Sequence, residues 1–295
     1  MFKSIILKDL PPTAAQNYLQ HAVAPRPICF ASTIDLEGNV NLSPFSFFNL
    51  FSTNPAIIVF SPSRRVRDNT TKHTLQNILE VPEVAVNIVS YDILQQASLS
   101  SCEYPKGTDE FIKAGFTKES SQLIKPPRVK ESPIQMECKV LEVKPLGTEG
   151  GAGNLVIAEV LMIHINEKVL NEKGYIDQAK LDLAARLGGN WYTRANAATI
   201  FEVEKPNTHL GIGIDALPEN IRNSKILTGN NLGQLANVSE IPFVDPAFED
   251  DKLKNIFQYY SINPEEMEKE LHTYAKELLD ARKVTEAWQV LLALN

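Results

Sequence analysis

Residues Arg26–Thr74 read RPICFASTIDLEGNVNLSPFSFFNLFSTNPAIIVFSPSRRVRDNTTKHT, and the fold turns on this stretch. Three short apolar runs, Ile28–Ile34, Phe45–Phe51 and Ala56–Phe60, are separated by polar punctuation and not by helices. The first is rich in β-formers and ends at Asp35-Leu36-Glu37-Gly38-Asn39, the pattern of a strand entering a hairpin turn. The second interleaves Ser43, Ser46 and Asn49 with Phe45, Phe47 and Phe48. The third runs straight into Ser61-Pro62-Ser63-Arg64-Arg65-Val66-Arg67, which gathers hydroxyls and arginines at a strand end. Next, Thr70-Thr71-Lys72-His73-Thr74 leads into Leu75, Ile78 and Leu79 at helical spacing. Hydroxyls there are expected to cap the helix and leave its first N–H groups aimed outward.

An arginine fork beside a helix N-terminus supplies the fixed donors and cations that a phosphate dianion needs. The Ser/Asn/Phe run before it suits a flat polar ring held by backbone bonds and stacking. Phosphate at one end and a planar heterocycle at the other describe a mononucleotide, and flavin mononucleotide (FMN) fits. The alternative is an arginine-rich surface loop beside an ordinary hairpin.

With 295 residues, the chain has room for one large domain or a domain with an extension. Hydrophobic residues make up 43% and charged residues 22%, enough to bury a real core. A formal net charge of −7 argues against a nucleic-acid partner and sets the basic cluster at 61–72 apart from its background. Cys29, Cys102 and Cys138 form no C-x-x-C pair and are expected to be free, buried thiols in a reducing compartment. The opening MFKSIILKDLPPT breaks at Asp9 and Pro11, so no signal peptide is expected there. No apolar run approaches a membrane span. These features point to a cytoplasmic protein with no membrane partner.

In chain order, Thr13–Val23 reads as a helix, Thr71–Leu79 as another, and Val84–Tyr91 as a strand by its alternation. Asp92 can cap a short helix reaching Leu99. Prolines keep 126–133 extended. Ile134–Leu146 and Leu155–Ile165 read as long strands joined by a glycine-rich hairpin connection at 147–153. Recurring strands with short connections indicate an antiparallel barrel and not a doubly wound sheet. The run Arg186-Leu187-Gly188-Gly189-Asn190-Trp191-Tyr192 reads either as a helix C-cap with packing aromatics or as part of a site. His164, at the end of a strand, faces a cavity or sits as a hydrogen-bonded rim residue. The five histidines show no paired metal-ligand spacing, so no metal is expected.

After Pro206 the character changes, with loops over 207–248 and helices over 249–294. Asn263-Pro264-Glu265-Glu266 is a helix start by cap, proline and acid. Leu271, Tyr274, Ala275 and Leu278 mark its apolar face. With so few helices, this part is expected to be an extension that docks on the barrel or on a partner subunit and shapes access to the site.

The ordered series RPICFAST-D-x-x-G-x-x-N, SPFSFFN, NPAIIVFS, K-H-T-x-x-N-I, VNIVS, DEFIKAGF, PPRVKESPIQMEC, AEVLMIH and RLGGNWY closely resembles the flavin reductase-like family, in particular its flavoredoxin type. The resemblance covers about residues 22–206. It implies a mainly β fold with peripheral helices: a closed antiparallel FMN-binding split barrel over 1–206, plus a helical C-terminal extension over 207–295. It also implies a homodimer with FMN sites near the subunit interface.

Carried over by that resemblance, Ser43, Pro44, Phe45, Ser46, Phe47 and Asn49 lie along the isoalloxazine. Ser61, Ser63, Arg67, Lys72 and Thr74 hold the ribityl phosphate. Arg26 and His164 sit on the nicotinamide or substrate side. Similar proteins often read Lys-Asp-Thr where this chain has Lys72-His73-Thr74. The implied chemistry is hydride transfer from NADH or NADPH to FMN, with electrons passed to a small-molecule or protein acceptor. Two alternatives share the barrel: an FMN carrier or electron-transfer module without NAD(P)H turnover, and a relative of pyridoxamine-phosphate oxidase.

Overall fold

The computed structural model describes residues 1–206 and 209–293, and the chain divides into two units, Met1–Phe201 and Glu202–Asn295. In the first unit, helix α1 (Pro12–Ala22) begins on a proline, whose fixed φ and missing N–H suit a first helical position. It precedes strand β1 (Cys29–Ile34), which is buried almost throughout. The turn after β1 is built by Asp35, whose Oδ1 accepts the N–H groups of Glu37 (3.1 Å) and Asn39 (2.8 Å). Gly38 there takes φ +86°, open to a residue without Cβ. The chain returns as β2 (Val40–Phe45), pairing Cys29 with Phe45 and Ile34 with Val40.

After the two-residue link Ser46-Phe47 come β3 (Phe48–Thr53) and β4 (Ala56–Phe60), then α2 (His73–Glu80) and β5 (Glu83–Ile88). The short helices α3 (Leu94–Leu99) and α4 (Glu110–Ala114) follow, with a two-residue ladder of β6 (Lys118–Glu119) and β7 (Arg128–Val129). The long strands β8 (Ile134–Pro145) and β9 (Asn154–Ile165) are joined by the expected hairpin connection. Last come α5 (Gln178–Leu181) and the hairpin of β10 (Leu183–Arg186) and β11 (Tyr192–Ala195).

Seven strands form one antiparallel sheet in the order β2-β1-β5-β8-β9-β4-β3. Laid flat, it would hold its two edge strands roughly 29 Å apart. Those edges, β2 and β3, are joined by two residues that reach roughly 10 Å, so the sheet must curl until its edges meet. The expected closed barrel is corrected in one respect. Among the described residues β2 and β3 share no ladder, so the barrel is not closed by hydrogen bonds. Pro44 withholds one donor of β2, and the Phe47 carbonyl is taken by the Ser61 N–H (2.9 Å).

Alternation along β1 sends Cys29 and Ala31 to one core, with Phe60, Val86, Cys138 and Val156, and Phe30 to another, with Leu42, Ala97 and Phe111. The second core lies beneath α3 and α4 and fixes them against β1 and β2. Cys29 and Cys138 are buried as expected, but Cys102 is exposed, because it follows α3 in a surface loop.

Residues 202–295 are more than a docking extension; the first two residues of the expected extension lie outside the described residues. Helices α6 (Glu219–Arg222), α7 (Gly229–Leu235), α8 (Asp251–Tyr259), α9 (Pro264–Asp280) and α10 (Val284–Leu292) enclose a core of their own. Leu271, Tyr274, Ala275 and Leu278 of α9 pack there with Ile221, Leu235, Leu253 and Trp288. The expectation that this face needs the barrel or a partner is corrected. The sequence shows one amphipathic helix plainly, whereas α6 and α7, of four and seven residues, are too short for an apolar periodicity to stand out. Among the described residues, no helix is long and apolar enough to cross a membrane.

Candidate functional site

Two spaces adjoin on the first unit. The narrower is polar and lies where β2, the start of α2 and the loop after α3 converge, lined by Asn41, Ser43, Arg65, Lys72, Thr74 and Glu103 among others. Its floor is a fixed relay. The buried Glu110 carboxylate accepts Asn41 Nδ2 (2.9 Å) and the Leu42 N–H (3.0 Å), and Asn41 Oδ1 accepts the Thr74 hydroxyl (2.6 Å). Burial raises the Glu110 pKa against the pull of these bonds. The relay ties the first turn of α2 to β2, so the helix end cannot drift from the strand.

Cations line the rim. Arg65 Nη1 donates to the Thr70 hydroxyl (2.8 Å) and the Thr71 carbonyl (2.9 Å), while its Nε donates to Glu103 Oε1 (3.1 Å). Lys72 has its pKa lowered by burial and then by Arg65. His73 is likewise lowered, by burial and then by Arg65, Lys106 and Lys72. The expected hydroxyl cap of α2 is corrected: Lys72 is the N-cap residue and no side chain caps the helix. Thr70 donates instead to Asp68 Oδ1 (2.6 Å), and the Thr71 hydroxyl accepts Gln76 Nε2 (3.1 Å). The helix therefore begins without a side-chain acceptor on its first turn, beside two cations, a setting that favours an anion.

The second space is a cleft of about 210 Å³. Pro44, Phe45 and Ser46 line it from the end of β2 and the link, and Leu94, Ala97 and Ser98 from α3. Arg26, Arg186 and Tyr192 line it as well. Ser101 lines both spaces, which makes the cationic pocket and the wider cleft neighbours around one residue. Arg26 and Arg186 exchange backbone hydrogen bonds (2.9 and 2.8 Å), which fastens the start of β1 to the β10–β11 hairpin.

That hairpin corrects the reading of Arg186–Tyr192 as a helix cap. The Gly-Gly pair is the turn: a Cβ on Gly188 would stand 2.2 Å from the His21 ring, and Gly189 takes φ +57°. Trp191 is exposed and packs into no core.

The expected site residues divide. Ser43, Lys72 and Thr74 line the polar pocket, and Pro44, Phe45, Ser46 and Arg26 line the cleft. Phe47 lies under the Arg26 guanidinium at 5.9 Å, and Asn49 is exposed with its Oδ1 on the Leu50 N–H (2.8 Å). Ser61, Ser63 and Arg67 line neither space. Ser61 Oγ is buried against Gly153 without a hydrogen-bond partner, and Arg67 turns outward to Glu103 (2.7 Å) and Asp68 (3.2 Å). His164 also lines neither space; its Nε2 lies 2.7 Å from Oε1 of the fully buried Glu137. Arg65, two residues from Arg67 in the same run, is the arginine that reaches the pocket. Arg186 and Tyr192 lie in the run whose second reading was part of a site, and they line the cleft, whereas Asn41 and Ser101 were not legible as site residues, because no local pattern brings 41 and 101 together.

The flavin reductase like domain matches residues 21–183, more than half of the chain. The chain belongs to the flavin reductase-like family. An uncharacterized relative from Aquifex aeolicus is 36% identical over 173 residues, 59% of this chain and 86% of its own length. Nitrilotriacetate monooxygenase component B from Bacillus cereus superposes with a TM-score of 0.64 at 29% identity, over 69% of this chain and 99% of that one. Flavoredoxin of Desulfovibrio vulgaris shares the fold alone, with a TM-score of 0.52 at 19% identity, over 62% of this chain and 91% of that one. As a flavin reductase-like protein, the chain carries the split-barrel architecture, and the family match ends at the start of β10, short of Arg186 and of the second unit.

Proposed function

We propose that this chain is an FMN-binding oxidoreductase that takes hydride from NADH or NADPH to bound flavin and passes electrons to a small-molecule or protein acceptor. The observation that carries this reading is the junction at Ser101, where a pocket with Arg65, Lys72 and a helix N-terminus meets a cleft walled by Pro44, Phe45 and α3. A mononucleotide requires that pairing of an anion pocket with a wider, flatter space. The donor set fits: Arg65 and Lys72 supply positive charge for a phosphate dianion, and Ser43 and Thr74 stand beside them. Bound there, FMN supplies the two-electron chemistry. The protein's residues bind, orient and shield; the Glu110–Asn41–Thr74 relay keeps the phosphate end preorganised, and no side chain need act as a general base.

The proposal includes a cytoplasmic homodimer. Leu50 and Phe51 on β3, Leu141 on β8, and Leu161 and Ile163 on β9 are exposed apolar side chains that a second copy of the chain would cover. Anaerobic addition of NADH or NADPH to the FMN-loaded protein tests the activity. Rapid bleaching of the flavin band is the expected result. Full flavin occupancy with persistent colour would instead indicate a carrier without NAD(P)H turnover.

A further inference from the structure

Arg65, Arg67, Arg128 and Arg194 each lie within ion-pair distance of a carboxylate. Among the described residues, Arg26 and Arg186, side by side at the cleft, do not. Arg26 Nη1 donates to the carbonyls of Gln20 (2.6 Å) and Val23, and its Nη2 to that of Leu187 (2.8 Å). Arg186 donates to the Tyr192 hydroxyl and the Gly189 carbonyl, with its guanidinium 4.6 Å from the Tyr192 ring centroid. Among the described residues, the partners of the two guanidinium groups are neutral oxygens and rings.

Arg26 is only 6% exposed, and its Nε is buried with no partner. Burial, and then the charge of Arg186, loosens its hold on its proton. A buried cation with an unused donor, next to a second cation, is costly unless an anion meets it. The reciprocal backbone bonds hold the two charges together regardless of that cost. Both line a cleft whose remaining lining is uncharged, with Ile28, Phe45, Leu94 and Ala97 beside amide and hydroxyl side chains. That combination attracts a flat molecule with one negative end.

We propose that the Arg26–Arg186 end of the cleft recognises the carboxylate of a small planar second ligand. A carboxylate matches a guanidinium fork in shape and charge, and the Tyr192 ring offers a flat neighbour. The ligand's role as electron acceptor rests on the flavin reading above. The anion site itself rests on the two arginines.

The test uses benzoate as the anionic probe and benzamide as its neutral counterpart, each titrated calorimetrically into the full-length protein with and without FMN. Benzoate is expected to bind at least roughly tenfold more tightly than benzamide. Arg186→Gln is expected to lose at least roughly tenfold in benzoate affinity in the flavin-free protein, and Arg186→Lys to recover part of the loss. If Arg186→Gln does not fold, Tyr192→Phe, which removes the hydroxyl that orients Arg186, is expected to weaken benzoate selectively. Equal binding of the two probes, competition between benzoate and FMN, or undiminished benzoate binding by the folded variants would overturn the proposal. Failure of FMN itself to bind would sink the flavin reading alone. In that case the flavin-free titration still decides the anion site, by the same loss in Arg186→Gln or its absence.

Discussion

Arg65 and Glu103 meet on the rim of the polar pocket, Nε to Oε1 at 3.1 Å, so a cation of the pocket is already oriented by a carboxylate. The same carboxylate draws Arg67 outward at 2.7 Å, and the bond from Arg67 holds Glu103 below the usual carboxylate range. Neighbouring arginines in one run thus have opposite duties. Arg65→Ala and Lys72→Ala are each expected to weaken FMN binding roughly tenfold or more, since a charge-assisted bond is worth about 1.5–3 kcal/mol. Arg67→Ala is expected to change it less than about threefold, as exposed ion pairs contribute little. Fluorescence titration of FMN into the three folded variants measures this, and a large effect of Arg67→Ala alone would place the phosphate elsewhere.

The His164–Glu137 contact predicts an acid-sensitive core. Burial pushes the Glu137 pKa up, but the N–H groups of Gln122 and Leu123 and the His164 ring together bring it below the usual value. A carboxyl depressed in the folded state stabilises above its unfolded pKa of about 4.3, and that stability is lost as pH falls through the folded value. Glu137→Gln should therefore be less stable at neutral pH and show a flatter loss of stability below about pH 4. Thermal melting across pH checks it; parallel curves for variant and wild type would refute the linkage.

The second unit should fold by itself. Trp288 is fully buried at its centre, and its Nε1 has no partner. Residues 202–295 expressed alone are expected to show a helical circular dichroism spectrum and a cooperative melt. Trp288→Ala should cost about 3–5 kcal/mol as a large-to-small core change. Trp288→Phe should cost much less, because it removes the unpaired donor along with part of the volume. A non-cooperative melt of the isolated fragment would show that the core is incomplete without the first unit.

Assembly is tested by sedimentation. A homodimer of the 32.9 kDa chain gives about twice that mass at micromolar concentration. Placing Asp at Phe51, an exposed apolar position on β3, should shift the equilibrium toward monomer, and a stable monomer of the unaltered protein would contradict the dimer.

The sheet was legible where side chains alternate against a core. β1, β4, β5, β8 and β9 all fall on runs of β-branched and aromatic residues. β2 was not legible, because Asn41, Ser43 and Pro44 interrupt its alternation at the point where it lines the site. Part of it was read with β3 as one run, Phe45–Phe51, hiding the link that joins the sheet's edges. The polar pocket was legible as a cationic loop but not to the residue, since which arginine turns inward depends on Glu103, thirty-eight positions away from Arg65. Arg26 and the Arg186–Tyr192 run were each noticeable in the sequence, but their pairing across 160 positions left no local trace.

The wide spacing of those partners sets an order of assembly during synthesis. The relay of Asn41, Thr74 and Glu110 is complete once the first 110 residues have left the ribosome. β4 must wait for β9, which pairs Ile57 with Glu159, and Arg26 must wait longer still for Arg186. Contacts so distant in sequence form late and slowly. A nascent chain therefore holds every lining residue of the polar pocket well before it holds the last lining residues of the cleft.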